Sequence, residues 1–250
     1  MYHFIIILLI FILVNFYFIK NDYFYNQDTN NKIPYILYKT GPFDNLPKNI
    51  LSVVQNSALK LNSKYYYFND NDCENFIKKN FSYSVFKAYN SLIPTAYKAD
   101  LWRYCILYKY GGIYGDLTQN LMKNYDVNKN NVDMLLVKDR PVCNSNNNIQ
   151  ISFIAVKPNN NFMEYLINNI TNDILEKKKG LCPLDITGPR AFGRYFCKYF
   201  KINSINLGLN YYKGLNHKIQ KIDISLYMKN SDFFRKYGNK NYLNEFRISE

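Results

Sequence analysis

Apolar and polar positions switch between strand and helix periods along most of the chain. Residues 33–38 (IPYILY) are a short apolar run closed by Thr40-Gly41-Pro42, which predicts a first buried strand. Pro47 opens a helical stretch in which Ile50, Val53, Val54 and Leu61 mark an apolar side. Residues 64–68 (KYYYF) read as the next strand, and Asp70 as the cap of a helix through Lys79. Residues 94–110 have helical spacing in Tyr97, Leu101, Tyr104, Cys105 and Tyr108, and Gly111-Gly112 stops them. A short strand over 113–118 follows, ending on a carboxylate, with further strands at 132–137 and 149–156. A long helix over 162–178 comes next, then a turn at Thr187-Gly188-Pro189-Arg190 into another helix. After Lys201 the pattern weakens, apart from a late strand at 219–224. Strand, helix, strand, helix is the rhythm of an α/β domain with a largely parallel sheet.

The amino terminus is different. Residues 4–19 run FIIILLIFILVNFYFI, with Asn15 the one polar break, and Lys20 ends the run. At about 1.5 Å per residue this just spans a thin bilayer. It lacks a charged leading segment and a small-residue cleavage site, which favours an uncleaved signal-anchor over a cleaved signal peptide. The predicted organisation is a transmembrane helix at 1–20, a polar stem at 21–32 and one domain at 33–250. A type II orientation would put that domain in a Golgi- or ER-like lumen. Asn80-Phe81-Ser82 and Asn169-Ile170-Thr171 are sequons that matter only in that compartment.

Composition changes little. Of 250 residues, 25 are Tyr and 18 Phe, enough for a packed core. The net charge of +13 admits nucleic acid, anionic lipid or a nucleotide diphosphate as partner. The basic residues are spread out, the run Lys177-Lys178-Lys179 sits at a predicted helix end, and no nucleic-acid-binding motif is visible. Nucleic acid is therefore not an expected partner. Of the five cysteines, none forms a C-x-x-C pair, which argues against a zinc site. Cys143 and Cys182 read as a disulfide in an oxidising lumen, or else as small buried residues.

The candidate chemistry lies in two neighbouring segments. Asp100 and Arg103 stand three apart on one helical edge, and Asp116 ends the strand that follows. Breaking a sugar–diphosphate bond develops negative charge on the leaving group, which a metal ion or basic side chains must offset. A strand-end carboxylate beside a helix bearing Asp and Arg can hold the sugar side of such a donor.

These segments carry a resemblance. Ile33-Pro34 with Tyr38-Lys39-Thr40, the block Ala99-Asp100-Leu101-Trp102-Arg103-Tyr104, the stretch from Leu107 to Asp116 and Thr187-Gly188-Pro189 together resemble glycosyltransferase family 32. This is the alpha-1,6-mannosyltransferase-like group, whose members carry a DXD motif. The resemblance implies a GT-A type, Rossmann-like fold with a mostly parallel mixed sheet. It also implies a nucleotide-sugar donor and a divalent metal, Mn2+ or Mg2+. Transfer of a hexose to a glycan, lipid or protein acceptor, with retention, follows from it. Asp100, Arg103, Tyr114, Asp116, Thr118, Gly188 and Pro189 then become donor-binding, Asp100 and Asp116 catalytic, and Asp116 the metal ligand. Thr118 stands where the second Asp of DXD belongs, and a neutral hydroxyl is a poor ligand for a hard cation. That departure puts metal dependence in doubt, makes Asp185 a candidate substitute, and leaves a degenerate sugar-binding or scaffold protein as the alternative. Trp102 reads as core rather than as a ligand-stacking ring, and His217 as a lone histidine of structural kind.

Overall fold

A computed structural model describes residues 31–226 and a short strand at 234–236. The predicted anchor, most of the stem and residues 227–233 and 237–250 lie outside the described residues. Among the described residues no helix is long and apolar enough to cross a membrane.

The chain opens with β1 (Ile36–Thr40), α1 (Lys48–Lys60) and β2 (Lys64–Phe68). Three helices follow, α2 (Asp70–Asn80), α3 (Tyr83–Ser91) and α4 (Thr95–Tyr110). Next come β3 (Gly112–Gly115), β4 (Gln119–Leu121), β5 (Met134–Lys138) and β6 (Ile149–Val156). Helix α5 (Asn161–Leu175), a 3-10 turn at Pro183–Asp185 and α6 (Pro189–Phe200) lead to β7 (Gly208–Lys213), β8 (Ile219–Leu226) and β9 (Phe234–Lys236).

Seven strands form one sheet in the order β2-β1-β3-β6-β5-β8-β7, and β4 pairs with β9 apart from it. β2, β1, β3, β5 and β8 run the same way, while β6 and β7 are reversed. The sheet is therefore mixed and mostly parallel, as expected. Helix α1 covers one face, where Ala58 and Leu61 pack on Leu37, Ile113, Leu135, Phe153 and Ala155. On the other face α4 is buried all round between Asp100 and Leu107, so it has no solvent stripe. Trp102 is fully buried against Phe68 (5.1 Å) and Tyr114 (6.5 Å) and is a core residue.

Local chemistry sets the ends. Asn69, not Asp70, caps α2: its side chain accepts from the Asp72 N–H, and the Asp72 carboxylate answers the Asn69 N–H. Gly111 (φ +64°) and Gly112 (φ +100°) turn α4 directly into β3, and a Cβ on Gly111 would lie 2.6 Å from Pro158. Helix α5 stops at Leu175, short of the predicted Lys178. Lys178 instead folds back onto Asp173 and Glu176. Helix α3 and strands β4, β7 and β9 are additions to the predicted set, and the strand predicted over 113–118 stops at Gly115, one residue before Asp116. α3 has only Val85, Ala88 and Tyr89 buried, and β7 is a mostly exposed edge strand, so neither writes a strong period.

Phe162 at the start of α5 is fully buried, with Phe192, Phe196, Tyr199 and Phe200 of α6 at 5.2–5.7 Å around it. This aromatic cluster fixes α6 against α5. Phe162→Ala is expected to cost about 3–5 kcal/mol of unfolding free energy by urea denaturation. A loss under about 1 kcal/mol would show that the cluster does not hold the helices together.

Candidate active site

A cavity of about 610 Å3 opens at the carboxyl ends of β3 and β5 and the amino end of β6. In an open α/β sheet this is where ligands bind. Its wall includes Asp100, Arg103, Asp116, Gly188 and Pro189, which the sequence picks out from three distant segments.

The Arg103 guanidinium sits at the back of the cavity. Its Nη2 meets Asp100 Oδ1 at 2.8 Å, and its Nη1 donates to the Ile151 carbonyl at 2.6 Å and lies 3.4 Å from Asp116 Oδ1. The group also lies 4.3 Å from the centre of the Tyr114 ring. Burial works against this charge, but Tyr114, Asp100 and Asp116 raise the guanidinium pKa above its ordinary value. Arg103 is thus a permanent cation.

Asp100 is buried, with its second oxygen accepting from Thr187 Oγ1 at 2.8 Å. Burial pushes its carboxyl up to about 6, while Arg103 and Thr187 pull the other way. The Tyr104 hydroxyl donates to the Thr187 carbonyl at 2.7 Å. Two residues of α4 therefore anchor the turn that carries Gly188 and Pro189 into the wall.

Asp116 is the open member of the set. Period 2 puts it on the same face as Tyr114, whose hydroxyl donates to Asp116 Oδ1 at 3.1 Å. Its side chain keeps 36% of its surface exposed, and Oδ2 has no hydrogen bond from any described residue. Tyr114, expected in the wall of the pocket, instead lies behind it at 2% exposure. Thr118 is not part of the wall either. It lies in the turn closed by the Gln119 N–H to the Asp116 carbonyl (2.9 Å), and Gln119 faces the cavity in its place.

Several further residues join the site. Gln119 donates to Ser152 Oγ at 3.1 Å, Gln150 donates to the same oxygen at 2.6 Å, and all three line the cavity. Asp139 and Arg140, just past β5, also line the cavity, with β6 between their strand and the one that leads to Asp116. Lys39 lies under the floor at 1% exposure, its Nζ donating to the carbonyls of Asp116 (2.8 Å) and Gln119 (3.2 Å). Burial pushes its ammonium down to about 7, with Asp116 pulling it back up. A lysine inside the buried run of β1 was the one sequence signal for this. Asp185 lies outside the wall, turned to Arg190 and Arg194, and is not the missing second carboxylate of the cleft. His217 sits in the turn between β7 and β8, away from the cavity wall.

Cys143 and Cys182 are joined in a disulfide, linking the β5–β6 loop to the segment before α6. Val142, Pro183 and Leu184 beside it line the cavity, so the bridge spans the cleft's edge. Among the described residues no three His, Cys, Asp or Glu side chains converge as a metal site. Asp100 has both oxygens engaged, and Asp116 shares its carboxylate with a guanidinium. A hard divalent cation seeks about six oxygens, and the described side chains do not supply that donor set.

The mixed sheet thus brings a buried acid, a guanidinium and an open carboxylate together at its strand ends. Residues 48–139 match the family described as glycosyltransferase sugar-binding region containing DXD motif. Over those residues the chain is similar to that family. Among solved structures, one titled "PaToxG Glycosyltransferase" superposes with a TM-score of 0.50 at 14% identity, covering 66% of this chain and 68% of that one. At that identity the likeness is one of fold. No curated protein matches the sequence.

The raised Asp100 carboxyl gives a pH test. The folded chain takes up this proton near pH 6, the unfolded chain only near about 4. Between these values the folded state binds more protons, so this group favours folding as pH falls; the gain is complete below about 4 and lost as pH rises through 6. In urea denaturation, the stability of the wild type relative to Asp100→Asn is expected to increase from pH 7 to pH 4. A flat difference across that range would contradict the assignment.

Proposed function

We propose that this protein is a glycosyltransferase of GT-A type that moves a hexose from a nucleotide-sugar donor to a glycan, lipid or protein hydroxyl. The observation that carries this reading is Asp116: one oxygen held by Arg103 and Tyr114, the other facing an open cavity at the strand ends. A carboxylate fixed in this way can accept hydrogen bonds from sugar or ribose hydroxyls without rearranging. Asp100 and Thr187 hold Arg103 and the Gly188-Pro189 turn in place around it. In the reaction the bond from the anomeric carbon to the diphosphate breaks, a bond to the acceptor oxygen forms, and the acceptor proton is released. Retention belongs to the reading through the family resemblance, and no side chain is assigned as a covalent nucleophile.

The same reading places the segment at 4–19 as a type II anchor and the domain in a lumen. The Cys143–Cys182 disulfide supports an oxidising compartment. A second reading, a sugar-binding or scaffold protein without turnover, is favoured by one observation: Thr118 takes the place of the second DXD carboxylate and does not line the cleft.

Asp116→Ala is expected to lower donor hydrolysis by at least about a hundredfold; the domain should stay folded at the assay temperature, with a lowered unfolding midpoint because Arg103 loses one partner. The assay is a nucleotide-sugar panel with the full chain, with and without Mn2+. Unaltered turnover in the variant would remove Asp116 from the mechanism. Donor binding without any turnover would select the second reading.

A further inference from the structure

The cleft has a charge demand that its back wall does not meet. When the anomeric bond breaks, its electron pair goes to a diphosphate oxygen, and the added negative charge needs a partner. Of the two guanidiniums in the wall, Arg103 is committed to Asp100, Asp116 and the Ile151 carbonyl and is 6% exposed. Lys39 is committed to two backbone carbonyls beneath the floor. The described carboxylates do not form a metal site.

Arg140 is the remaining cation of the wall, and its setting is unlike that of a loose surface arginine. Its side chain is exposed at the rim and makes no hydrogen bond or ion pair with any described residue, while its backbone is held firmly. The Arg140 carbonyl accepts from Asn148 Nδ2 at 3.3 Å, and the same fully buried amide also donates to the Ser145 carbonyl at 2.5 Å. The Arg140 N–H donates to Asp139 Oδ1 at 2.8 Å. Cys143 is tied to Cys182 across the cleft edge. Behind the loop, the Asn147 carbonyl packs directly on Gly193 of α6, where any side chain would collide with it. The loop that carries Arg140 is thus braced by a buried amide, a covalent bridge and a backbone-to-helix contact.

We propose that Arg140 is a diphosphate-binding residue of this cleft, meeting the leaving group's charge by direct guanidinium–phosphate contact. The proposal rests on the transferase reading above. In the sheet order β3-β6-β5, Asp116 follows β3 and Arg140 follows β5, so the two flank the start of β6, whose Gln150, Ile151 and Ser152 line the cavity. A donor lying between them would have its diphosphate toward Arg140 and its hydroxyls toward Asp116. A planar fork suits two phosphate oxygens at once, which an ammonium does not reproduce.

Inorganic pyrophosphate isolates this contact, because it has no base or sugar. Calorimetry on the full chain in EDTA is expected to show pyrophosphate binding. Arg140→Ala should weaken it roughly tenfold to a hundredfold, and Arg140→Lys should recover only part. Lys87→Ala, which removes a positive charge from the exposed side of α3, should leave it unchanged. Equal binding by wild type and Arg140→Ala overturns the proposal. So does an equal loss in Lys87→Ala, or pyrophosphate binding that appears only with Mn2+. Nucleotide-sugar binding that persists at full strength in Arg140→Ala removes this proposal alone. Failure of the wild type to bind any nucleotide sugar, with Mn2+ or without, removes the transferase reading as well.

Discussion

The buried Arg103 guanidinium is the constraint around which the site is built. A cation taken out of water is tolerated only when its hydrogen bonds are met on every side. Here those partners come from the helix itself (Asp100, and the Ala99 carbonyl at 3.3 Å), from the strand-end Asp116 and from the Ile151 carbonyl of β6. Moving α4 along or around its axis would break several of these at once. The helix is therefore locked in register with both strands, and Asp116 is locked with it. The aromatic packing of the neighbouring Trp102 against Phe68 and Tyr114 does the same job, without direction.

A second layer extends that order outward. Asp100 reaches Thr187, Tyr104 reaches the same residue's carbonyl, and α6 starts two residues later with Pro189 preset for a first turn. Helix α6 in turn supports the Asn147 backbone through Gly193 and, through the segment before it, the disulfide. The chain of contacts runs from the back wall to the rim. Lys39 adds a support from below by gathering two carbonyls of the 116–119 turn. A charged group hidden there costs stability, and that expense falls directly under the residue assigned to the sugar.

The sequence announced the back wall and was almost silent on the rim. Asp100 and Arg103 are legible because helical spacing puts them on one edge, and Asp116 because a strand of period 2 ends on it. Their meeting follows from one tight connection at Gly111-Gly112. Thr118 was misplaced by counting along a motif: the turn after β3 directs Gln119, not Thr118, to the cavity. Arg140, Gln150 and Ser152 reach the site from β5, its following loop and β6, through sheet order that no local period encodes. The helix α3 and the edge strand β7 went unread for a related reason, since few of their side chains are buried and the rest leave no pattern. The disulfide was legible as a pair but not as a brace, because its meaning depends on which loops border the cleft.

The site thus separates charges that organise from charges that remain available. Arg103, Asp100 and Lys39 are buried and paired, and they hold backbone and side chains in place. Asp116 through Oδ2 and Arg140 through its guanidinium are exposed to the same cavity, one negative and one positive, past the ends of two strands that flank β6. A ligand suited to that pair carries hydroxyl donors at one end and a dense anion at the other. A nucleotide sugar is such a molecule, and a simple neutral glycan is not. In the proposed reaction the rigidity behind both groups matters as much as their sign, because charges already fixed before the bond breaks need no reorganisation when the leaving group takes up its electrons.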